Sequence, residues 1–144
     1  MEIVYYRTRD GRCPVKEYLS SRYGIGEDKD SAQAQFNKVK RLAKIDSVIM
    51  LAADKRGVPG GNFSSSLIGC DFQELRITEG NELVRILYFA YKKEILVLLN
   101  VYDKPDLYEK AGKNEVNKRI EQMHQQTKIY YEDFLQNSNH YEKY

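Results

Sequence analysis

Two arginines set among apolar strand residues are the part of this sequence best suited to chemistry. The stretch QELRITEGNELVRILYF, residues 73–89, reads as two strands joined by a tight turn, with Arg76 in the first and Arg85 in the second. A guanidinium is almost never buried without a partner, and its rigid fork of donors matches the oxygens of a phosphate. Strand side chains alternate between faces, so Glu74 and Arg76 share one face and Leu75 and Ile77 the other. In residues 83–91, Arg85, Leu87, Phe89 and Tyr91 oppose Val84, Ile86, Tyr88 and Ala90. In residues 95–102, the same rule groups Leu96, Leu98, Asn100 and Tyr102. A register is available in which Arg76, Arg85 and the end of the third strand meet on one face and bind a phosphate. The alternative is purely structural: Arg76 pairs with Glu74, or Arg85 with Glu82, as cross-strand or rim salt bridges.

Other reactive groups are sparse. His124 falls on the last helix, off its apolar seam, and reads as exposed; His140 lies in a polar tail, and neither is assigned a catalytic role. A metal-dependent nuclease needs clustered carboxylates or histidines. Two histidines sixteen residues apart, and no D-x-D or H-x-x-x-H spacing near the arginines, predict neither a metal nor another cofactor. Cys13 and Cys70 are far apart and form no CxxC pair, so they read as small, partly buried thiols. A net charge of +2 does not by itself announce nucleic-acid binding. Its distribution says more: between Ser31 and Arg56, the residues Lys38, Lys40, Arg41, Lys44, Lys55 and Arg56 face only Asp46 and Asp54. Lys38 and Arg41 are the candidates there for further contacts to a phosphate-bearing substrate, although their spacing favours a solvated helix face.

The elements that must position these residues follow from length and periodicity. The 144 residues, 42% apolar and 31% charged, suit one soluble domain with a real core. No apolar run approaches the roughly 20 residues of a membrane span, and MEIVYYRTRDGR lacks a signal-peptide pattern, which predicts a cytoplasmic protein without membrane contact. Residues 2–8 predict a strand closed by Asp10-Gly11, and Pro14 opens a short helix with Val15, Tyr18 and Leu19 on one face. A polar linker, residues 24–31, leads to a helix over 32–55 capped by Asp30 or Ser31. Its expected apolar stripe is Phe36, Val39, Leu42, Ala43, Ile49, Met50 and Ala53, and it stops at Gly57 and Pro59. After a flexible Gly/Ser loop, residues 57–66, three strands over 70–78, 83–91 and 94–102 are joined so tightly that they must form an antiparallel meander. A last helix over 114–135 carries the seam Val116, Ile120, Met123, Thr127, Tyr130 and Phe134. The reading is a single domain over 1–136 followed by a polar tail, 137–144, that frays. The fold class is α+β with the order β-α-α-β-β-β-α: a twisted antiparallel sheet with two helices on one face and a C-terminal helix.

The run ELRITEGNELVRILYF followed by EILVLLNVYDKPD, with PVKEYL near the N-terminus, resembles the RelE/ParE toxin superfamily, in particular the HigB-like, phage-derived branch of type II toxin–antitoxin systems. The resemblance covers about residues 13–20 and 67–125, and ELRI…RILYF is its most specific part. It implies a RelE-like fold and an endoribonuclease that cuts messenger RNA, commonly on the ribosome. It also implies a cognate helix-turn-helix antitoxin, through which alone the toxin would reach operator DNA. By the same resemblance Arg76 and Arg85 contact the scissile phosphate, Lys104 matches the first lysine of the terminal motif, and Tyr102 matches the aromatic that stacks on a base. The chain departs from the family pattern in having Pro105 where a second lysine usually stands, and SSSLIGCDF where the preceding loop often carries lysine. The general base is therefore open: Asp103 is either a proton acceptor facing the site or a strand-ending turn residue. Two rival readings keep the fold, a ParE-like inhibitor of DNA gyrase and a non-catalytic RNA- or protein-binding relic.

Overall fold

A computed structural model of the chain describes residues 1–24, 31–80, 82–103 and 112–144. Its elements are β1 (Glu2–Tyr6), α1 (Pro14–Tyr23), α2 (Ala32–Asp54), β2 (Ser64–Ser66), β3 (Gln73–Glu79), β4 (Glu82–Tyr91), β5 (Ile95–Asp103), α3 (Lys113–Gln136) and β6 (Tyr141–Lys143). They build an α+β fold around one six-stranded sheet of order β2-β3-β4-β5-β1-β6. The meander β3-β4-β5 is antiparallel, as its short turns require. The sheet as a whole is mixed, because β1 runs parallel to β5 with Glu2 opposite Ile95 and Tyr5 opposite Leu98. This corrects the fully antiparallel expectation. Tight turns fix the direction of neighbours in sequence only, and β1 reaches β5 after two helices and the whole meander.

Both short outer strands fall where the sequence predicts irregular chain. Ser64–Ser66, placed in a flexible loop, pairs antiparallel with β3. Tyr141–Lys143, placed in a fraying tail, pairs antiparallel with β1. The tail is held by side chains as well: Glu142 bonds Lys16 at 2.6 Å, Tyr144 stacks on Tyr5 with centroids 5.4 Å apart, and the Tyr144 hydroxyl bonds Asp46. Its polar composition hid two tyrosines with apolar partners. The polar linker expected over 24–31 lies mostly outside the described residues; Ser31 does cap α2, its hydroxyl accepting from the Ala34 amide at 3.1 Å.

One face of the sheet carries α1 and α2. There Leu75, Ile77, Val84, Ile86, Tyr88, Leu96 and Leu98 pack against Val15, Leu19, Tyr23, Ile45, Val48, Ile49 and Ala52. The burial of α2 begins only at Ile45. Phe36, Val39 and Met50, expected in its buried stripe, are 62%, 46% and 45% exposed. Periodicity revealed an amphipathic helix but not which half of it would meet the sheet. The second face carries α3, where Val116, Thr127 and Phe134 are fully buried and Ile120, Met123 and Tyr130 partly so. That is the expected seam.

The strand β5 changes faces partway along. Leu87 pairs with Asn100 and Tyr88 with Leu98, so Leu99 is an extra, bulged residue. Leu96 and Leu98 therefore lie under α1 and α2, while Asn100 and Tyr102 lie on the α3 side, where Asn100 donates to Thr127 at 3.2 Å. Simple alternation groups all four residues on one face. The bulge separates them and turns Tyr102 toward the arginines.

Candidate functional site

The register places Arg76 opposite Arg85 and Arg85 opposite Tyr102, so the three residues form one row across β3, β4 and β5 on the α3 side of the sheet. Their accessibilities differ sharply. Arg76 is exposed and, among the described residues, makes no ion pair, whereas Arg85 and Tyr102 are 8% and 6% exposed. Arg85 is neutralised by Glu74, itself 6% exposed, with Nε 3.0 Å from Oε1. Since Glu74 lies opposite Leu87, this pair is a diagonal across the strands, different from either pairing expected from sequence. Arg85 also donates from Nη1 to the Val84 carbonyl at 3.2 Å, and Tyr102 donates its hydroxyl to Glu74 at 3.4 Å. Burial, with the charge of Glu74 added and that of Arg85 opposing, holds the Tyr102 hydroxyl far above its ordinary range, so it remains a neutral donor.

The α3 seam covers this cluster with His124. Far from being exposed and off the seam, His124 sits four residues after Ile120 and three before Thr127, with its ring centroid 6.5 Å from those of Phe72 and Tyr102. Its Nε2 is buried without a hydrogen-bond partner among the described residues. Burial lowers its pKa below the ordinary 6.5, outweighing the charges of Glu74 and Glu121 that raise it. With its ring buried and His124 against it, Tyr102 does not present the open stacking surface the resemblance implied.

Three other expected residues lie elsewhere. Asp103 is only 3% exposed and faces α1, its Oδ2 2.7 Å from Arg22 Nη2, on the opposite side of the sheet from the row. It acts as a structural anion, not a proton acceptor at the arginines. Lys38 and Arg41 belong to α2, which packs on that same opposite side; Arg41 lies beside Tyr23, Ile77 and Val84. They are not brought to the row. Lys104 lies outside the described residues. His140 accepts the Arg7 amide through its carbonyl at 3.1 Å, in the turn before β6 and away from the site. Replacing Asp103 by Asn is therefore expected to lower stability by about 1.5–3 kcal/mol, the range for a hydrogen bond to a charged group, while leaving any activity of the folded protein at the arginine row unchanged. Thermal melts and assays of the same preparation check both halves.

The sequence reading missed Glu74 as the partner of Arg85 and His124 as the cover of Tyr102. Both had a signal. Glu74 alternates onto the arginine face two residues before Arg76, and His124 fits the spacing of the seam. Among the described residues, no group of three or more His, Cys, Asp or Glu could hold a metal ion, and no helix is long and apolar enough to cross a membrane. A groove of about 590 Å³ lies between α1 and α2, lined by Tyr5, Leu19, Tyr23, Val39, Leu42 and Tyr144, on the other side of the sheet. The chain matches no family model and no curated protein.

Proposed function

We propose that this chain is a RelE-like, HigB-type toxin of the cytoplasm that cleaves messenger RNA without a metal ion, with ribosome-held RNA as its substrate. The observation that carries the reading is the row itself: Arg76 on the surface, without an ion pair among the described residues, beside an Arg85 held by the Glu74 carboxylate. A phosphodiester brings an anion that Arg76 takes directly. Arg85 then exchanges Glu74 for a phosphate oxygen, so that both guanidinium groups bear on the charge that develops in the transition state. Lys104, one residue beyond β5, supplies a cation to the leaving oxygen. A helix-turn-helix antitoxin neutralises the toxin by screening this row, and carries the pair to operator DNA.

Expression of the protein alone in a bacterium is expected to arrest growth, and the purified protein to cut RNA in an extract in which gyrase supercoiling continues. Loss of supercoiling with intact RNA would assign it instead to the gyrase-inhibiting class. Intact RNA, continued supercoiling and normal growth would leave a binding protein without catalysis.

A further inference from the structure

The sheet face opposite the arginine row holds a cavity to which the reading above gives no role. It is the groove of about 590 Å³ between α1 and α2, a volume within the range that holds small organic ligands. Its walls are mainly aromatic and aliphatic, with Tyr5 from β1, Tyr23 from α1, Val39 and Leu42 from α2, and Tyr144 after β6. One carboxylate stands among them: Asp46 of α2, which accepts the Tyr144 hydroxyl through Oδ1. The other charged side chain on the wall, Lys16, is bonded to Glu142 at 2.6 Å, so that pair leaves the groove no net positive charge. The field there is acidic. Burial first, and then the acids Asp46, Cys13 and Glu142, push the Tyr5 hydroxyl up to about 12. Burial, the bond to Asp46 and its charge likewise hold the Tyr144 hydroxyl far above its ordinary range. A chain of net charge +2 thus keeps an acidic, aromatic recess on the side away from its arginines.

We propose that this groove binds a small organic cation, with its ammonium or guanidinium head on Asp46 and its apolar body between Tyr23, Val39 and Leu42. The lining selects each part of such a ligand. A carboxylate takes charge-assisted hydrogen bonds from N–H donors, and the negative face of an aromatic ring attracts a cation. The Tyr5 and Tyr144 rings, with centroids 5.4 Å apart and planes tilted by 49°, offer such faces beside Asp46. An anion would meet Asp46 unfavourably, and a neutral molecule would gain only the apolar contacts. Val39, 46% exposed on the half of α2 that does not reach the sheet, would gain from the ligand body the apolar contact that the core does not give it. The sheet separates the groove from the arginine row, so a cation bound here and RNA bound there share no contacting atoms. The assignment is independent of the nuclease reading.

The test uses three probes with one indole ring and different heads: tryptamine, a cation; tryptophol, neutral; and indole-3-acetate, an anion. The chain contains no tryptophan, so indole emission reports the probe alone. Titration of the full-length protein at neutral pH should show saturable binding of tryptamine. Tryptophol should bind about tenfold more weakly, the usual worth of one charge-assisted contact, and indole-3-acetate more weakly still. Asp46→Asn keeps an acceptor for the Tyr144 hydroxyl, so it should fold normally by circular dichroism. It should bring tryptamine down to the level of tryptophol and leave tryptophol unchanged. Ala43→Phe, at an exposed position on the groove wall, should weaken both. The assignment is overturned if tryptamine shows no saturable binding, if tryptamine and tryptophol bind alike, or if a folded Asp46→Asn binds tryptamine as the wild type does. Tightest binding of indole-3-acetate would give the charge of the groove to Lys16 and overturn it too.

Discussion

Replacing Arg76 with Ala is expected to slow RNA cleavage by about a hundredfold to a thousandfold, the usual cost of removing one preorganised donor from a developing oxyanion, without a measurable change in stability. Arg76 is exposed and makes no ion pair among the described residues, so its removal deprives the folded chain of little. Arg85→Ala should slow cleavage comparably but also destabilise the fold. Its guanidinium is the partner of a carboxylate that is 6% exposed, and leaving such a charge buried alone costs about 3–5 kcal/mol. The two arginines, alike in sequence, thus separate by thermal melting. A double variant, Glu74→Gln with Arg85→Ala, should recover part of the lost stability and none of the activity, because it removes the stranded charge but not the need for the guanidinium. Single-turnover cleavage, growth arrest and melting curves read all of this. If Arg76→Ala and a folded Arg85 variant both remain fully toxic, the row has no part in the activity.

How much of this was legible beforehand depended on the range of the interaction that decides each feature. The meander, Ser31 as the cap of α2 and the α3 seam follow from local patterns, and each is present. The face shared by Glu74 and Arg76 also follows from simple alternation, as does that of Arg85. What alternation could not supply was the residue inserted at Leu99, which moves Tyr102 from the face of Leu98 to that of the arginines. A bulge is decided by pairing between strands, and here the Asn100 side chain, accepting the Val101 amide at 2.9 Å, supports it. The parallel pairing of β1, the docking of β6 and the half of α2 that is buried are long-range choices of the same kind. Asp103 shows the effect on a functional assignment. One residue beyond Tyr102, it points to Arg22 on the other side of the sheet, so its proximity in sequence to the site has no counterpart in space.

Cleavage is expected to proceed undiminished in excess EDTA, provided that any ribosomes required are kept intact by other means, and to stop when the ribose at the cut carries no 2′-hydroxyl. The residues gathered at the row argue for this chemistry. Arg76 and Arg85 are permanent cations that repel a metal ion, and Glu74, the carboxylate held at the row among the described residues, is bound to Arg85 and Tyr102. A hard divalent cation needs several oxygen ligands in a fixed arrangement, and this cluster offers no spare pair of carboxylates to provide them. The same guanidinium groups are suited to a phosphate whose charge grows as a fifth oxygen approaches, and positioning with electrostatics accounts for much of such a rate enhancement. On the proposed reading the nucleophile is the RNA's own 2′-hydroxyl. The upstream fragment should accordingly end in a 2′,3′-cyclic or 3′-phosphate and the downstream fragment begin with a 5′-hydroxyl, which end-labelling and mass spectrometry distinguish. A single 2′-deoxy substitution at the cut should abolish cleavage there while binding is retained. A 5′-phosphate on the downstream fragment, or cutting through the deoxy linkage, would make water the nucleophile, and the arginine row would then serve binding alone.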